Sequence, residues 1–243
     1  MKNRELNLEL LPWDSTFFGF GVAKVVLAEA AESSFHQLRA KATAQGIRLV
    51  YCYVDPTDAL SKNAVQQQSL PLLDRKATWI KRIDEQEFNA GEGVRVLAGN
   101  DAVTASLLEL AWQSGAYSRF LLDPKIPYPV FQRLYEIWLH NTLQNNQAGV
   151  VLTTGAVGQE TGLITLEQLE GGAAGIGLLA VDTKSRRRGL GQQLIRAAIQ
   201  QAQQWQAPEL RVVTQLDNIP ACSLYERAGF LLQQVRLVYH WWL

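Results

Sequence analysis

The organisation of this chain is most evident around residues 177–191, which read GLLAVDTKSRRRGLG. The apolar run at its start is typical of a buried strand. An amphipathic helix is predicted over Gly189–Trp205, because its apolar residues recur at helical spacing. Three consecutive arginines and two glycines lie between strand and helix. The stretch therefore predicts a strand, a basic turn and a helix start in immediate succession.

This turn has the chemistry of an anion-binding site. A helix start exposes about four unpaired backbone N–H groups and carries partial positive charge. Gly189 and Gly191 have no Cβ, so an anion can approach the backbone, and the arginines add charged donors. Together they predict a cradle for a diphosphate. The glycine spacing fits neither the P-loop nor the Rossmann fingerprint, and on this stretch alone a solvated basic turn is an equal alternative.

A second group of residues follows the next predicted strand, Leu210–Gln215. It consists of Asn218, Ala221, Leu224, Tyr225, Gly229 and Phe230. Taken singly, each residue has an ordinary interpretation. An asparagine at this position caps a helix, a tyrosine is a half-buried aromatic, and Gly-Phe ends a helix and anchors it in the core.

The combination is much more specific. Arg186-x-x-Gly189-x-Gly191, followed by Asn218-x-x-Ala221-x-x-Leu224-Tyr225-x-x-x-Gly229-Phe230, resembles the GCN5-related N-acetyltransferase (GNAT) superfamily over roughly Val94–Leu243. The resemblance implies an α/β fold with a central mixed, splayed β-sheet flanked by helices. It also implies an enzyme that uses acetyl-CoA as co-substrate, held in a V-shaped opening of the sheet.

The resemblance also assigns roles to individual residues. The expected cofactor-binding residues are Leu179, Ala180, Val181, Arg186, Arg187, Arg188, Gly189, Leu190, Gly191, Asn218, Ala221 and Leu224. Tyr225 is expected beside the sulfur, where a phenol protonated at neutral pH can act as general acid. A backbone N–H near Leu179–Ala180 is expected to stabilise the developing oxyanion. Because no residue is placed as a nucleophile, we expect the amine to attack directly in a ternary complex. Nothing in their context singles out Glu109 or Glu167 as a base.

Outside this motif lies a narrower resemblance, to the dTDP-fucosamine acetyltransferase group. It rests on Pro12-Trp13-Asp14, Phe17-Phe18-Gly19 and Ser118-Arg119-Phe120 with Asp123. That group N-acetylates a dTDP-linked amino sugar and has a truncated, cofactor-free GNAT-like half before the working half. The substrate-binding residues implied are Tyr117, Ser118, Arg119 and Phe120. Arginine suits a diphosphate and the rings suit a base or sugar. A surface loop with an ordinary salt bridge is the alternative.

The predicted domains are residues 1–90, the truncated GNAT-like part, and residues 91–243, the catalytic GNAT domain. A polar, glycine-containing segment at Glu85–Gly93 separates them. The first part is expected to contain a helix over Ser33–Gln45 with a serine cap. The second is expected to contain a helix over Asp101–Gln113 capped by Asp101, and an antiparallel meander of three strands: Gly149–Thr154, Thr161–Gln168 and Gly175–Val181.

Composition narrows the remaining possibilities. The 243 residues carry 23 Lys and Arg against 23 Asp and Glu, which argues against a nucleic-acid coat or a polybasic membrane binder. Two cysteines cannot build a disulfide framework, so we expect a cytoplasmic globular protein. The three histidines lack metal-ligand spacing, so we expect no metal. A homodimer is a common assembly, and oligomeric state stays open. A transferase for another small amine and a non-catalytic CoA sensor are the competing functions.

Overall fold

A computed structural model describes residues 6–83, 93–97, 99, 101–144 and 149–243. The chain divides into two compact units. The first unit contains Met1–Lys76 and Val235–Leu243, and the second contains Ala77–Gln234. The predicted boundary segment, apart from Gly93, lies outside the described residues. The final strand thus belongs with the first part of the chain, an arrangement that the sequence did not indicate.

The first unit is built on a sheet with strand order β1-β2-β3-β10. Its elements are β1 (Glu9–Leu10), α1 (Pro12–Phe18), β2 (Gly21–Leu27), α2 (Glu32–Ala44), β3 (Ile47–Val54), α3 (Ala59–Gln67), the start of β4 (Leu72–Arg82) and most of β10 (Leu231–Trp242). β2 and β3 are parallel, and β10 is antiparallel to β3. Helix α2 buries Phe35, Leu38 and Ala42 in the core of this unit.

Two features of the first unit differ from the sequence prediction. Helix α2 begins at Glu32 after Ala31 and has no side-chain cap, so the predicted serine cap is wrong. Helix α1 was not predicted. Ser15 connects this helix to β2: its hydroxyl donates to the Leu11 carbonyl (2.7 Å) and accepts from the Val22 amide (2.9 Å).

The second unit has strand order β4-β9-β8-β7-β6-β5. Its elements after β4 are β5 (Val94–Leu97), α4 (Ala105–Ser114), α5 (Arg119–Leu122), α6 (Tyr128–Gln144), β6 (Gly149–Ala156), β7 (Gln159–Gln168), β8 (Ala174–Val181), α7 (Leu190–Gln204), β9 (Glu209–Gln215) and α8 (Ile219–Arg227). Strands β5 to β8 pair antiparallel, and β8 pairs parallel with β9. The predicted mixed α/β fold and meander are therefore confirmed.

Helices cover both faces of this sheet. Leu152 shares a core with α7, and its neighbour Val151, which points to the opposite face, is also fully buried. Helices α4 and α6 pack against the same strands and cover that second face. Helix α4 is capped by Thr104, which accepts from the Leu107 amide (3.3 Å), so the predicted cap at Asp101 is wrong. Across the described residues, no helix combines the length and apolar character needed to cross a bilayer.

Candidate active site

Strand β8 is paired on one side over its length but on the other side only at its start. Both β8 and β9 are fully described, and their parallel pairing covers Ala174–Ile176 against Leu210–Val212 and then stops. On the opposite side, pairing with β7 continues to Val181, opposite Gly162. Residues 177–181 therefore present an unpaired backbone edge on the side where β9 has diverged, in the part of the sheet where the resemblance to the GNAT superfamily implies an opening.

The amides on this edge follow from the pairing on the other side. The Asp182 amide donates to the Thr161 carbonyl (2.9 Å), and amide direction alternates along a strand. The amide of Ala180 therefore points to β7, whereas those of Leu179 and Val181 point to the opening. Among the predicted β8 residues, Leu179 and Val181 form the edge that an extended ligand can pair with. The Val181 carbonyl already accepts from Arg186 Nε (3.1 Å).

A short basic turn connects this edge to helix α7. One turn of 3-10 helix, Thr183–Ser185, is closed by Asp182, whose carboxylate accepts from the Lys184 amide (3.0 Å). Arg186, Arg187 and Arg188 follow, all exposed. Arg187 has φ +62°, a left-handed conformation that non-glycine residues adopt at an energetic cost and that is frequent at functional sites. The arginines are thus held beside the helix start.

The two glycines of this turn have different roles. Gly189 precedes α7 with φ +81°, and the space where its Cβ would lie is open, so an anion can reach the helix start. Among the residues that the structure describes, no side chain caps α7. A Cβ on Gly191 would lie 3.2 Å from Leu224 Cδ2 and 3.9 Å from Val181 Cγ2. Gly191 therefore allows α8, which carries Leu224, to pack closely against the start of α7 beside the end of β8.

Asn218 caps helix α8 directly after β9. Its Oδ1 accepts from the Ala221 amide (3.3 Å), so the ordinary capping role is present. The Nδ2 group of a capping asparagine keeps its donors. Because Asn218 lies at the end of β9, on the far side of the opening from the β8 edge, the capping role is compatible with a ligand contact.

Tyr225 lies two turns into α8 and is only 3% exposed. Its ring lies 5.6 Å from that of Phe230. Burial, with a smaller contribution from Cys222, raises the Tyr225 pKa well above its ordinary value, so the phenol is neutral at physiological pH. Burial first, then Glu226 and Asp217, likewise raise the Cys222 pKa. A neutral thiol is a poor nucleophile, whereas a neutral phenol can donate a proton.

The predicted substrate-binding residues lie at the start of α5: Tyr117 and Ser118 precede this helix, and Arg119 and Phe120 are its first two residues. Ser118 is buried and caps α5, accepting from the Phe120 amide (3.1 Å). Phe120 is buried against Trp138, and the Arg119 guanidinium lies 4.3 Å from the Phe120 ring centroid. Tyr117 is 37% exposed. The structure thus gives Ser118 and Phe120 local structural roles, and Tyr117 and Arg119 are the members of the group that retain surface.

Two polar groups on α4 were missed by the sequence analysis. Among the described residues, the buried Trp112 Nε1 and Gln113 Oε1 have no hydrogen-bond partner. Both residues belong to α4, which packs against β7 and β8 and ends shortly before Tyr117. A buried donor and a buried acceptor left unpaired cost free energy, and such groups are commonly satisfied by water or a ligand. A tryptophan and a glutamine on a helix carry no sequence signal for this property.

Helix α4 is held in place by a buried carboxylate. Glu160 accepts from Thr104 Oγ1 (2.7 Å), Arg95 Nη2 (3.2 Å) and the Ser106 hydroxyl. Burial by itself raises the Glu160 pKa, but hydrogen bonds from Ser106, Thr104 and backbone amides outweigh it, and the net pKa lies below the ordinary carboxyl value. This network joins the start of α4 to the β6–β7 hairpin and so fixes the helix that carries Trp112 and Gln113.

The two glutamates considered as bases are both exposed. Glu109 lies on α4, and Glu167 lies near the end of β7. No group of three or more potential metal-ligating side chains occurs within the described ranges.

The chain matches known proteins across this site. The profile of the acetyltransferase (GNAT) family matches residues 109–230, half of the chain. The dTDP-fucosamine acetyltransferase of Escherichia coli O6:H1 is 27% identical over 224 residues, 92% of each chain. Spore coat polysaccharide biosynthesis protein SpsD of Bacillus subtilis (strain 168) is 27% identical over 139 residues, 57% of this chain and only 47% of that protein.

A solved structure supports the fold. The GCN5-related N-acetyltransferase from Sphaerobacter thermophilus superposes with a TM-score of 0.63 at 13% identity, over 98% of this chain and 76% of that chain. The family profile spans α4 to the end of α8, and so includes the β8 edge, the basic turn and Tyr225. This chain belongs to the GNAT acetyltransferase family.

Proposed function

We propose that the protein transfers an acetyl group from acetyl-CoA to the amine of a nucleotide-linked, dTDP-type amino sugar. The observation that carries the proposal is the divergence of β8 from β9 after Ile176, directly before the Arg186–Gly191 turn. The sugar class is supported by the name of the Escherichia coli relative, which matches 92% of this chain, and by that of the polysaccharide biosynthesis relative.

The residues of the second unit fit acetyl-CoA. The unpaired amides of Leu179 and Val181 can pair with an extended pantetheine arm as an added strand would. The open space at Gly189 and the uncapped start of α7, flanked by the arginines Arg186–Arg188, suit a diphosphate. The remaining cofactor-binding residues in this proposal are Ala180, Leu190, Asn218, Ala221 and Leu224.

The cofactor supplies an activated thioester. The acceptor amine forms a C–N bond to the carbonyl carbon as the C–S bond breaks, and the amine loses a proton to water. The Leu179 amide donates to the oxygen on which charge develops. Tyr225 Oη donates its proton to the departing thiolate and regains one from solvent. The Tyr225 phenol is neutral at physiological pH, so the proton is present on the enzyme before the reaction.

The acceptor side is formed by α4, α5 and their connection. We infer that Arg119 pairs with the diphosphate of the nucleotide and that Tyr117 contacts the sugar or base. Ser118 and Phe120 hold this connection in shape. On α4, Trp112 Nε1 offers a hydrogen-bond donor and Gln113 Oε1 an acceptor, and we propose each of them as a separate contact to a hydroxyl of the sugar.

The first unit is proposed to be the cofactor-free, GNAT-like part of the predicted division into residues 1–90 and 91–243. It contains a parallel strand pair joined by a helix, as the second unit does. The two strands of that pair stay together throughout, and so provide no equivalent opening.

The direct test is release of free thiol from acetyl-CoA in the presence of a dTDP-linked 4-amino sugar, compared with a polyamine, an aminoglycoside and an amino acid. We expect turnover with the nucleotide sugar at a kcat/KM at least about a hundredfold above the others. Turnover with a simple amine alone would overturn the sugar assignment. Binding of CoA without turnover on any amine would identify a sensor instead.

A further inference from the structure

The divergence of β8 from β9 coincides with a bulge on the other side of β8. Ile164 of β7 is opposite Leu179, whereas Leu166 is opposite Ile176. One residue of β7, Thr165, therefore faces two residues of β8, Gly177 and Leu178. Ile176 is also the last β8 residue that pairs with β9, so the extra residue enters β8 at the point where β9 leaves it.

A side chain, rather than the backbone, closes this bulge. The Leu178 amide donates to Thr165 Oγ1 at 2.8 Å, and both residues are buried. Gly177 is needed at the same point, because a Cβ there would lie 2.8 Å from Thr165 Oγ1. The Thr165 hydroxyl thus occupies the space that a side chain at position 177 would need.

The direction of the Leu178 amide sets the direction of every amide after it. With the Leu178 amide turned to β7, alternation turns the Ala180 and Asp182 amides to β7 as well, and the Asp182 amide does reach the Thr161 carbonyl. The amides of Leu179 and Val181 are then left for the opening. If the bulge were displaced by one residue, the opposite set would face it.

We propose that Thr165 is a positioning residue: by accepting the Leu178 amide on its side chain, it fixes the bulge that turns the Leu179 and Val181 amides toward the acetyl-CoA opening. This inference rests on the proposed function, because it assigns that edge to the CoA arm. Thr165 acts through β8, on the face covered by α4 and α6, and is not itself a catalytic residue.

The chain offers a matched control. Thr153 on the adjacent strand β6 is also fully buried, but its hydroxyl has no hydrogen-bond partner among the described residues. Thr165→Val and Thr153→Val make the same isosteric change, and only the first leaves a buried amide without its acceptor. Thr165→Ser keeps the hydroxyl and serves as the conservative variant.

The experiment measures the Kd of CoA by calorimetry and steady-state kinetics for the wild type and the three variants. We expect Thr165→Val to weaken CoA binding and kcat/KM by on the order of tenfold or more, because an edge misplaced by about an ångström loses its alignment. Thr165→Ser should restore both to within about threefold, and Thr153→Val should leave both unchanged.

Each outcome distinguishes the two proposals. Wild-type protein that does not bind CoA would overturn the proposed function. Wild-type protein that binds CoA while Thr165→Val binds it equally well would overturn the positioning role alone, as would equal losses in Thr165→Val and Thr153→Val. If Thr165→Val does not fold, Gly177→Ala tests the same bulge from β8, and hydrogen exchange of the wild-type Leu178 amide must show strong protection.

Discussion

Each unit contains a parallel strand pair joined by a helix, and the two pairs differ in how far they stay together. In the first unit, β2 pairs with β3 along its whole length, Gly21–Leu27. In the second, β8 pairs with β9 only over Ala174–Ile176. The same local topology therefore gives a closed pair in the first unit and an opening in the second. We call the first unit the closed unit and the second unit the open unit.

The two units also differ in the connection that leads from the first strand of the pair into the helix. Before α2, the Glu29 amide donates to Asp58 Oδ2 and the Ala30 amide to Ser61 Oγ, both at 2.9 Å. Side chains of the protein itself, one of them a carboxylate, thus already accept hydrogen bonds from the amides before α2. Before α7, the residues are exposed arginines and a glycine with open space beside it. A binding site on this topology requires both early divergence of the strands and amides that the protein leaves for a ligand.

The largest effect should come from the buried tyrosine of the open unit. Tyr225→Phe removes the proposed general acid, and we expect kcat to fall by about a hundredfold or more, with little change in the KM for acetyl-CoA. Tyr51→Phe is the matched control, since Tyr51 is a buried tyrosine of the closed unit whose hydroxyl donates to Asp14. Its kcat should not change. Wild-type turnover in Tyr225→Phe would contradict the acid role.

A smaller effect, on stability, should appear in the pH dependence of the open unit. Burial alone would raise the pKa of Glu160, but its hydrogen bonds outweigh burial and hold that pKa below the ordinary carboxyl value. A lowered carboxyl pKa stabilises the fold above the ordinary carboxyl value, and that stability is lost as the pH falls through the folded-state value. Glu160→Gln should therefore lower the free energy of unfolding by ~2 kcal/mol at pH 7, and the difference from wild type should shrink as the pH falls below the ordinary carboxyl range.

Urea denaturation across this pH range measures the effect. The closed unit offers a comparison in Asp58, where hydrogen bonds likewise outweigh burial and lower the carboxyl pKa. Asp58→Asn should show a pH dependence of the same sign. A difference between Glu160→Gln and wild type that does not change with pH would contradict the ionised network at Glu160.

The basic turn should affect cofactor affinity and not the chemical step. Arg187→Ala with Arg188→Ala keeps Arg186, whose Nε donates to the Val181 carbonyl. We expect the KM for acetyl-CoA to rise about tenfold and its salt dependence to weaken, with kcat nearly unchanged. Steady-state kinetics at several salt concentrations provide the measurement. An unchanged KM would show that these arginines form a solvated turn and do not bind the cofactor.

The smallest effect should come from two equivalent helix caps. Asp58 and Asn218 each accept from the amide three residues on, that of Ser61 and that of Ala221. Replacing either with Ala should lower the free energy of unfolding by about 1 kcal/mol. Only Asn218→Ala should also raise the KM for acetyl-CoA, because only Asn218 lies beside an opening. Equal KM values in the two variants would limit Asn218 to capping.

The sequence predicts the parts of this molecule that depend on local pattern. The meander and the helix that follows the basic turn are set by alternation, glycine turns and helical periodicity, and they are confirmed. Helix caps are harder to predict from local pattern. Thr104, and not Asp101, caps α4, and Thr104 also donates to Glu160, which is 56 residues away along the chain. The motif points to Tyr225, but its near-complete burial depends on packing that no local pattern reveals.

The features that shape the opening are the hardest to predict. The bulge at Gly177–Leu178 depends on register with Thr165, and the end of pairing after Ile176 depends on the path of β9. Both are relations between strands. The bulge requires Gly177, but this glycine by itself does not give the register with Thr165 or the path of β9. The same holds for Trp112 and Gln113, whose polar atoms lose solvent only when the chain is folded.

The central claim is tested most directly by a crystal structure of the protein with CoA. The account predicts the pantetheine arm alongside Leu179–Val181, the diphosphate at Arg186–Gly191, and the sulfur within about 3.5 Å of Tyr225 Oη, with no CoA between β2 and β3. CoA bound away from the β8 edge, or a sulfur beyond reach of the Tyr225 hydroxyl, would contradict it.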